Sequence, residues 1–280
     1  MYNVENYWGK AVATYIENWP KELYNLSIPQ INIPLGMPKA FLLIFNKIMD
    51  GKELSSLHLS YLSVIEEKLN EAAQSFPKGF FCRLGSRSPK DSWHGHRNGF
   101  KCTTGKDALQ LLLDSPDRVY DDVALAVAKN YSPQIWLREW KEIPEWAEFR
   151  CFMKNRELVG ISQYNYLTQQ KYNEIVDEQS SIKWAIDRFF QTLFLPVINL
   201  DSVVFDVWVT NRKHSNERTW EVRLLEINPF DVCTDPCLFS WKDGGDFDKG
   251  FRYIKKPREP TNTRQSMTPY FKGQFELKPK

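Results

Sequence analysis

The chain has 280 residues, 42% hydrophobic and 26% charged, and a formal net charge of +2 at pH 7. That length can bury a sizeable core in one large domain or two, and so small a net charge gives no general basic field to hold nucleic acid. No run approaches 18 apolar residues, so no membrane span is expected, and the opening MYNVENYWGKAV lacks the basic-then-apolar pattern of a secretory leader.

Residues 1–25 are aromatic-rich and read as helical. Pro29 and Pro34 bracket a short extended piece, and Pro38 stands where a helix begins, continued by AFLLIFNKIM. ELSSLHLSYLSVIEEKLNEAAQSF carries apolar residues at helical spacing, one or two helices before Pro77. GFFCRLG reads as a strand ended by Gly85, and SRSPKDSWHGHRNG as a polar loop. TGKDALQLLLDSP is a helix with Thr104 as N-cap and Asp107 in its first turn, and DDVALAVAKN is another. QIWLREWKEI is a strand. EFRCFMKNRELVGISQYN is the clearest hairpin in the chain, two apolar runs about the turn KNRE. The pattern from Thr168 to about Leu195 is helical, with Ile182, Ala185, Ile186, Phe189 and Phe190 on one side.

A second hairpin follows. VVFDVWV and TWEVRLLEIN are strands about the polar stretch TNRKHSNER. Alternate strand residues share a face, so Glu226 and Asn228 lie together, and Asp206 sits across from them in an antiparallel pair. Three oxygen ligands at one end of a hairpin suit a hard cation such as Mg²⁺ beside a phosphate. After Trp241 the chain turns basic and Pro-rich, with nine Lys or Arg against two Glu from Lys249 onward. Phe251, Tyr253, Tyr270, Phe271 and Phe275 suggest that this tail docks on the body. Five Cys at irregular spacing fit free thiols in a reducing compartment. Cys233 and Cys237 lack the second ligand pair that zinc needs. The order of elements predicts an α+β fold with mostly antiparallel pairing in its second half.

Basic residues complete the chemistry. FCRLGSRSPKDS sets Arg83 on a strand, with Ser86, Ser88 and Lys90 in the loop after it, a combination that can hold phosphate oxygens. Arg138 and Trp140 alternate in IWLREWKEI. Arg150 stands among apolar residues in AEFRCF and needs a partner if buried, a carboxylate or a ligand phosphate. Cations facing phosphates, acids holding a metal and aromatics lining a base describe a nucleotide site.

AEFRCFMKNRELVGISQ, VVFDVWV, LLEINPF and TDPCLFSW resemble the cell division cycle protein 123 family, as do FCRLGSRSPKDSW, FRYIKKP and TPYF. The resemblance covers most of residues 78–275; the first 75 residues match only around INIPLGMPKAF. It implies an ATP-grasp fold, two lobes with largely antiparallel sheets clasping Mg-ATP. It also implies a role in assembling translation initiation factor 2, with the gamma subunit of that factor as partner. Residue by residue, it makes Asp206, Glu226 and Asn228 metal ligands, and Arg83, Lys90 and Arg150 nucleotide contacts. Arg138, on the strand leading to the hinge, and Gln163, which matches the glutamine of G-I-S-Q, are counted with them as cofactor-binding residues. Two positions depart with charge retained: Arg83 stands for lysine and Glu226 for aspartate. The acidic insert of the eukaryotic members, upstream of the first strand, is absent.

The expected division is 1–75 an N-terminal helical accessory segment, 76–140 and 141–248 the two lobes, and 249–280 the docked tail. ATP and Mg²⁺ are the expected cofactors in a cytoplasmic monomer that binds a protein, not nucleic acid or membrane. The same residues also fit an ATP-grasp ligase that activates a carboxylate for attack by an amine. In that reading Lys90 and Arg150 are the catalytic candidates, and the loop holding His94 and His96 is a lid that orients the nucleophile.

Overall fold

The computed structural model describes residues 4–211 and 220–257. Its N-terminal segment forms α1 (Val4–Val12), a 3₁₀ turn at Ile16–Asn18 and α2 (Lys21–Leu26). β1 (Gln30–Pro34) follows, and then α3 (Pro38–Met49), where Pro38 takes a first-turn position that needs no N–H. α4 (Ser56–Ala73) is capped by Ser55 and His58, each accepting from the other's backbone N–H. Next come β2 (Phe80–Leu84), α5 (Trp93–Asn98), β3 (Lys101–Cys102) and α6 (Gly105–Leu113). Thr104 and Asp107 cap α6 reciprocally, as their spacing predicts. After α7 (Val119–Ala128) and β4 (Gln134–Glu139) comes the hairpin of β5 (Glu148–Lys154) and β6 (Glu157–Gln163). Asn155 and Arg156 both take left-handed backbone there, φ 50° and 64°, the turn whose twist matches a tight hairpin. α8 (Asn173–Phe189) runs into a wide π turn at Phe190–Phe194. β7 (Val203–Asn211), β8 (Trp220–Pro229) and β9 (Gly250–Arg252) complete the order.

The strands form two sheets. The first has the order β1-β4-β2-β3 and is antiparallel throughout. Its rows Ile31–Leu137–Cys82 and Ile33–Ile135–Leu84 face a core built by α3, α4, α6 and α7. The opposite face carries Arg138 beside Phe81 and Arg83 beside Trp136. β1 pairs in this sheet, and α3 and α4 pack on it.

The second sheet has the order β8-β7-β5-β6-β9, antiparallel except for the parallel pair β6–β9. Register makes its two faces chemically distinct. Ile227, Phe205, Cys151, Ile161 and Phe251 form one row across all five strands. They pack on α8 and the π turn, where the Phe194 and Phe205 rings stack at 4.3 Å. Each such ring contributes about 1.5–3 kcal/mol by leaving water. The next row, on the other face, is Glu226, Asp206, Arg150, Ser162 and Arg252. Beyond it Phe152, Val204 and Gly160 lie beneath Phe239, Trp241 and Phe247. Gly160 is required there: a Cβ would meet the Phe239 ring at 2.7 Å.

Two features differ from the sequence reading. SWHGHRNG is not wholly loop, because Ser92 accepts from the Gly95 N–H and caps the short helix α5. The aperiodic stretch after Trp241 contributes β9, whose pairing comes from the β6 edge rather than from any pattern of its own. Phe251 and Tyr253 of the tail pack on the main core; Tyr270, Phe271 and Phe275 lie outside the described residues, as does most of the loop TNRKHSNER. No helix among the described residues is long and apolar enough to cross a membrane.

Candidate functional site

Glu226 and Arg150 of the polar row border a cleft of about 610 Å³. Its lining includes Lys90 and Arg87 from the loop after β2, Arg118, Asp121 and Asp122 from the start of α7, and Arg150, Glu226 and Asn228 from the second sheet. α1 closes one side with Tyr7, Ala11 and, just beyond it, Thr14 and Tyr15. Gly85 begins the loop because Glu17 occupies the place of a side chain: a Cβ would sit 1.5 Å from its carboxylate. The loop is then stitched to α7. Arg87 Nε donates to Asp122 at 2.8 Å, Arg118 Nε to the Ser88 carbonyl at 2.6 Å, and the Asp117 N–H to Asp91 at 2.7 Å.

Glu226 and Asn228 share a face of β8 and line the cleft, as alternation predicts. Glu226 accepts from Arg83 Nη2 at 2.7 Å. Burial opposes its charge, but Arg83, Lys90 and Arg150 outweigh that and hold its carboxyl down at about 2. The side-chain nitrogen of Asn228, a donor, is buried with no partner among the described residues. Asp206 pairs with Glu226 in register, yet it is 1% exposed and does not line the cleft. Arg150 takes both its oxygens, through Nε and Nη2 at 2.8 Å each. Arg150 also donates to the Asp235 carbonyl and lies over the Tyr164 ring. The buried-arginine question raised by AEFRCF thus has a carboxylate for its answer.

Other expected site residues do structural work. Arg83 is 3% exposed and sits behind the cleft, holding Glu226 and the Leu84 and Ser86 carbonyls. Arg138, expected at the nucleotide, instead bonds the Leu225 carbonyl at 2.6 Å and Ser27 Oγ at 2.8 Å, bracing β4 against β8. Gln163 is buried away from the cleft and ties the Asn165 and Gln170 carbonyls to the Ile254 N–H. His94 and His96 do not cover the cleft. The His94 N–H donates to Asp114 and the His96 ring meets Phe100, and neither His lines the cleft. Lys90 does reach the cleft, donating to the Tyr164 hydroxyl at 2.9 Å.

The residues missed by sequence reasoning are Arg87, Arg118, Glu148 and Tyr164. Glu148 stands two before Arg150 on the same strand, and that alternation was a legible signal. Burial raises its carboxyl to about 7, with Lys90 opposing and Asp206 and Glu226 adding to the rise. A carboxyl raised above its unfolded value of 4.5 contributes stability below that value, and the contribution is lost as pH rises through about 7. Glu148→Gln should therefore flatten a fall in stability between pH 4.5 and 7, worth up to about 3 kcal/mol. Urea unfolding of both proteins at pH 5 and pH 8 measures it; an equal fall in both assigns the slope to other groups.

Two antiparallel-rich sheets with helices, beside a cleft of opposed charges, define a mixed α+β protein. A family model described as D123 matches residues 48–273, and the chain belongs to that family, which is the cell division cycle protein 123 family. The resemblance read from EFRCF, GISQ and EINPF is confirmed. The chain is 33% identical to the "Translation initiation factor eIF2 assembly protein" of Xenopus laevis over 185 residues, 63% of this chain and 52% of that protein. It is 34% identical to the Xenopus tropicalis protein of the same name over 203 residues, 69% and 58% of the two chains. The "Cell division cycle protein 123" of Yarrowia lipolytica is 27% identical over 204 residues, 71% of this chain and 52% of that one. The chain thus spans about half the length of the curated relatives it matches. In fold it is similar to the structure of Cdc123 from Schizosaccharomyces pombe, with a TM-score of 0.69 over 89% of this chain and 98% of that one at 24% identity.

Proposed function

We propose that the chain is an ATP-grasp protein that binds Mg-ATP in this polar cleft and, with its lobes so ordered, holds a protein partner during assembly of a complex. One observation carries this: Lys90 and Arg118 face Glu226 and Asn228 across a single cavity of about 610 Å³. Cations there suit phosphate oxygens, and the opposed acid and amide suit a hard metal ion. Magnesium keeps several waters and phosphate oxygens and needs one or two protein ligands. Glu226 and the amide oxygen of Asn228 fit that need, both residues lining the cleft; the unpartnered Asn228 nitrogen is a donor and suits a phosphate oxygen instead. Asp206 fits it less well, since both its oxygens are engaged by Arg150. Bound magnesium would screen the phosphate charge; the chain's own cations would orient the phosphates.

The partner class follows from the relatives, named as assembly proteins for translation initiation factor eIF2. That role would place the chain in the cytoplasm, with the gamma subunit of the factor as the partner to test. Calorimetric titration with ATP, with and without Mg²⁺, tests the cleft. Size-exclusion chromatography with purified eIF2 subunits, with and without ATP, tests the partner. Micromolar or tighter Mg-ATP binding that strengthens partner binding is the expected result. Absence of any ATP binding would remove the basis of the reading. Steady release of ADP or AMP with a modified acceptor would turn the protein from an assembly factor into a ligase.

A further inference from the structure

Four basic side chains line the cleft: Arg87, Lys90, Arg118 and Arg150. Asp122 neutralises Arg87, and Asp206 neutralises Arg150. Lys90 rests on the Tyr164 ring and donates to its hydroxyl. Arg118, like Lys90, meets no carboxylate, but unlike Lys90 it leaves its terminal nitrogens without any acceptor among the described residues. Its Nε donates to the Ser88 carbonyl. Burial lowers its basicity, and the neighbouring charges of Arg87 and Arg83 lower it further, against the opposing pull of Glu226. A guanidinium stays charged nonetheless, so this is a half-buried cation on the cleft wall that no carboxylate of the described residues pairs.

A second observation lies beside it. The Ser88 hydroxyl is buried and unpartnered, in the residue whose carbonyl grips Arg118. Ser88 itself stays behind the cleft wall, whereas the unpartnered fork of Arg118 lines the cleft, where a bound anion can satisfy it. The fork also matches the tetrahedral edge of a phosphate, which a lysine ammonium does not.

We propose that Arg118 is the residue by which the cleft distinguishes a nucleoside triphosphate from shorter nucleotides: its free nitrogens grip the terminal phosphate from the α7 side while Glu226 and Asn228 face the cleft from β8. The proposal rests on the nucleotide reading above. It also gives the stitching of loop to helix a purpose, because the contacts from Arg87, Arg118 and Asp91 hold the guanidinium in place before any ligand arrives.

Calorimetric titration of the whole chain with ATP, ADP and AMP in Mg²⁺ tests it, using wild type, Arg118→Ala and Arg118→Lys, each checked for folding by circular dichroism. In Arg118→Ala, ATP affinity should fall about 10- to 100-fold while AMP affinity changes less than about twofold, the loss of a charge-assisted contact. Arg118→Lys should recover part of the ATP affinity. Equal loss for ATP and AMP, or unchanged ATP affinity in the folded variant, would overturn the proposal. If Arg118→Ala does not fold, Arg118→Lys decides: an ATP-to-AMP preference equal to that of wild type overturns it. A wild-type protein that binds none of the three nucleotides would instead overturn the nucleotide reading itself.

Discussion

Arg150→Ala should lower the stability of the folded chain by about 3–5 kcal/mol, the cost of leaving one partner of a buried ion pair uncompensated. Asp206 would lose both its hydrogen bonds in a place where it is 1% exposed. The Asp235 carbonyl would lose its donor as well. Replacing both partners separates this from simple loss of packing. Arg150→Met with Asp206→Leu should recover most of the stability, since an apolar pair of similar volume is often neutral or better. Urea unfolding of wild type and the two variants makes the comparison. A cost below about 1 kcal/mol for Arg150→Ala would show that the pair contributes no more than an exposed one.

Asn228→Ala and Glu226→Ala should separate ligand binding from folding. The Asn228 nitrogen has no partner to lose, so its removal should leave stability within about 0.5 kcal/mol of wild type. Its Mg-dependent ATP affinity should nonetheless fall at least about 10-fold, as expected for one lost contact to a charged group. Glu226→Ala should lose that affinity too, and stability with it, because Arg83 would be left buried beside no anion. The Glu226 contribution also fixes a sign with pH. Its carboxyl is held below the unfolded value of 4.5, at about 2, so its stabilising effect is full above pH 4.5 and is lost as pH falls through about 2. Calorimetry and urea unfolding of both variants suffice. Asn228→Ala that binds Mg-ATP as wild type does would remove the amide from the metal's ligands.

The sequence carried periodicity well and depth poorly. Alternation placed Glu226 with Asn228, and the capping pattern placed Thr104 and Asp107, because both are local consequences of backbone geometry. Alternation also set Asp206 on the correct face. It could not say that Arg150, one strand away, would claim both carboxylate oxygens, since that depends on the β5–β7 register. Arg138 and Gln163 carry the right chemistry for a ligand, yet each meets backbone carbonyls brought near by tertiary contacts. Arg118 was legible only as one cation among the aspartates of DSPDRVYDD; what singles it out is which of those acids was already taken by Arg87.

The parallel strand β9 has one more consequence. It occupies the outer edge of β6, pairing Gly160, Ile161 and Ser162 with Gly250, Phe251 and Arg252. Without it those backbone groups would form an open edge, a template to which another chain can add a strand. A shortened version of the chain that stops before Gly250 would also uncover Phe149 and Ile161, against which Phe251 packs. Such a version should self-associate in solution even if the cleft is intact, so the shortest well-behaved form extends at least through Tyr253.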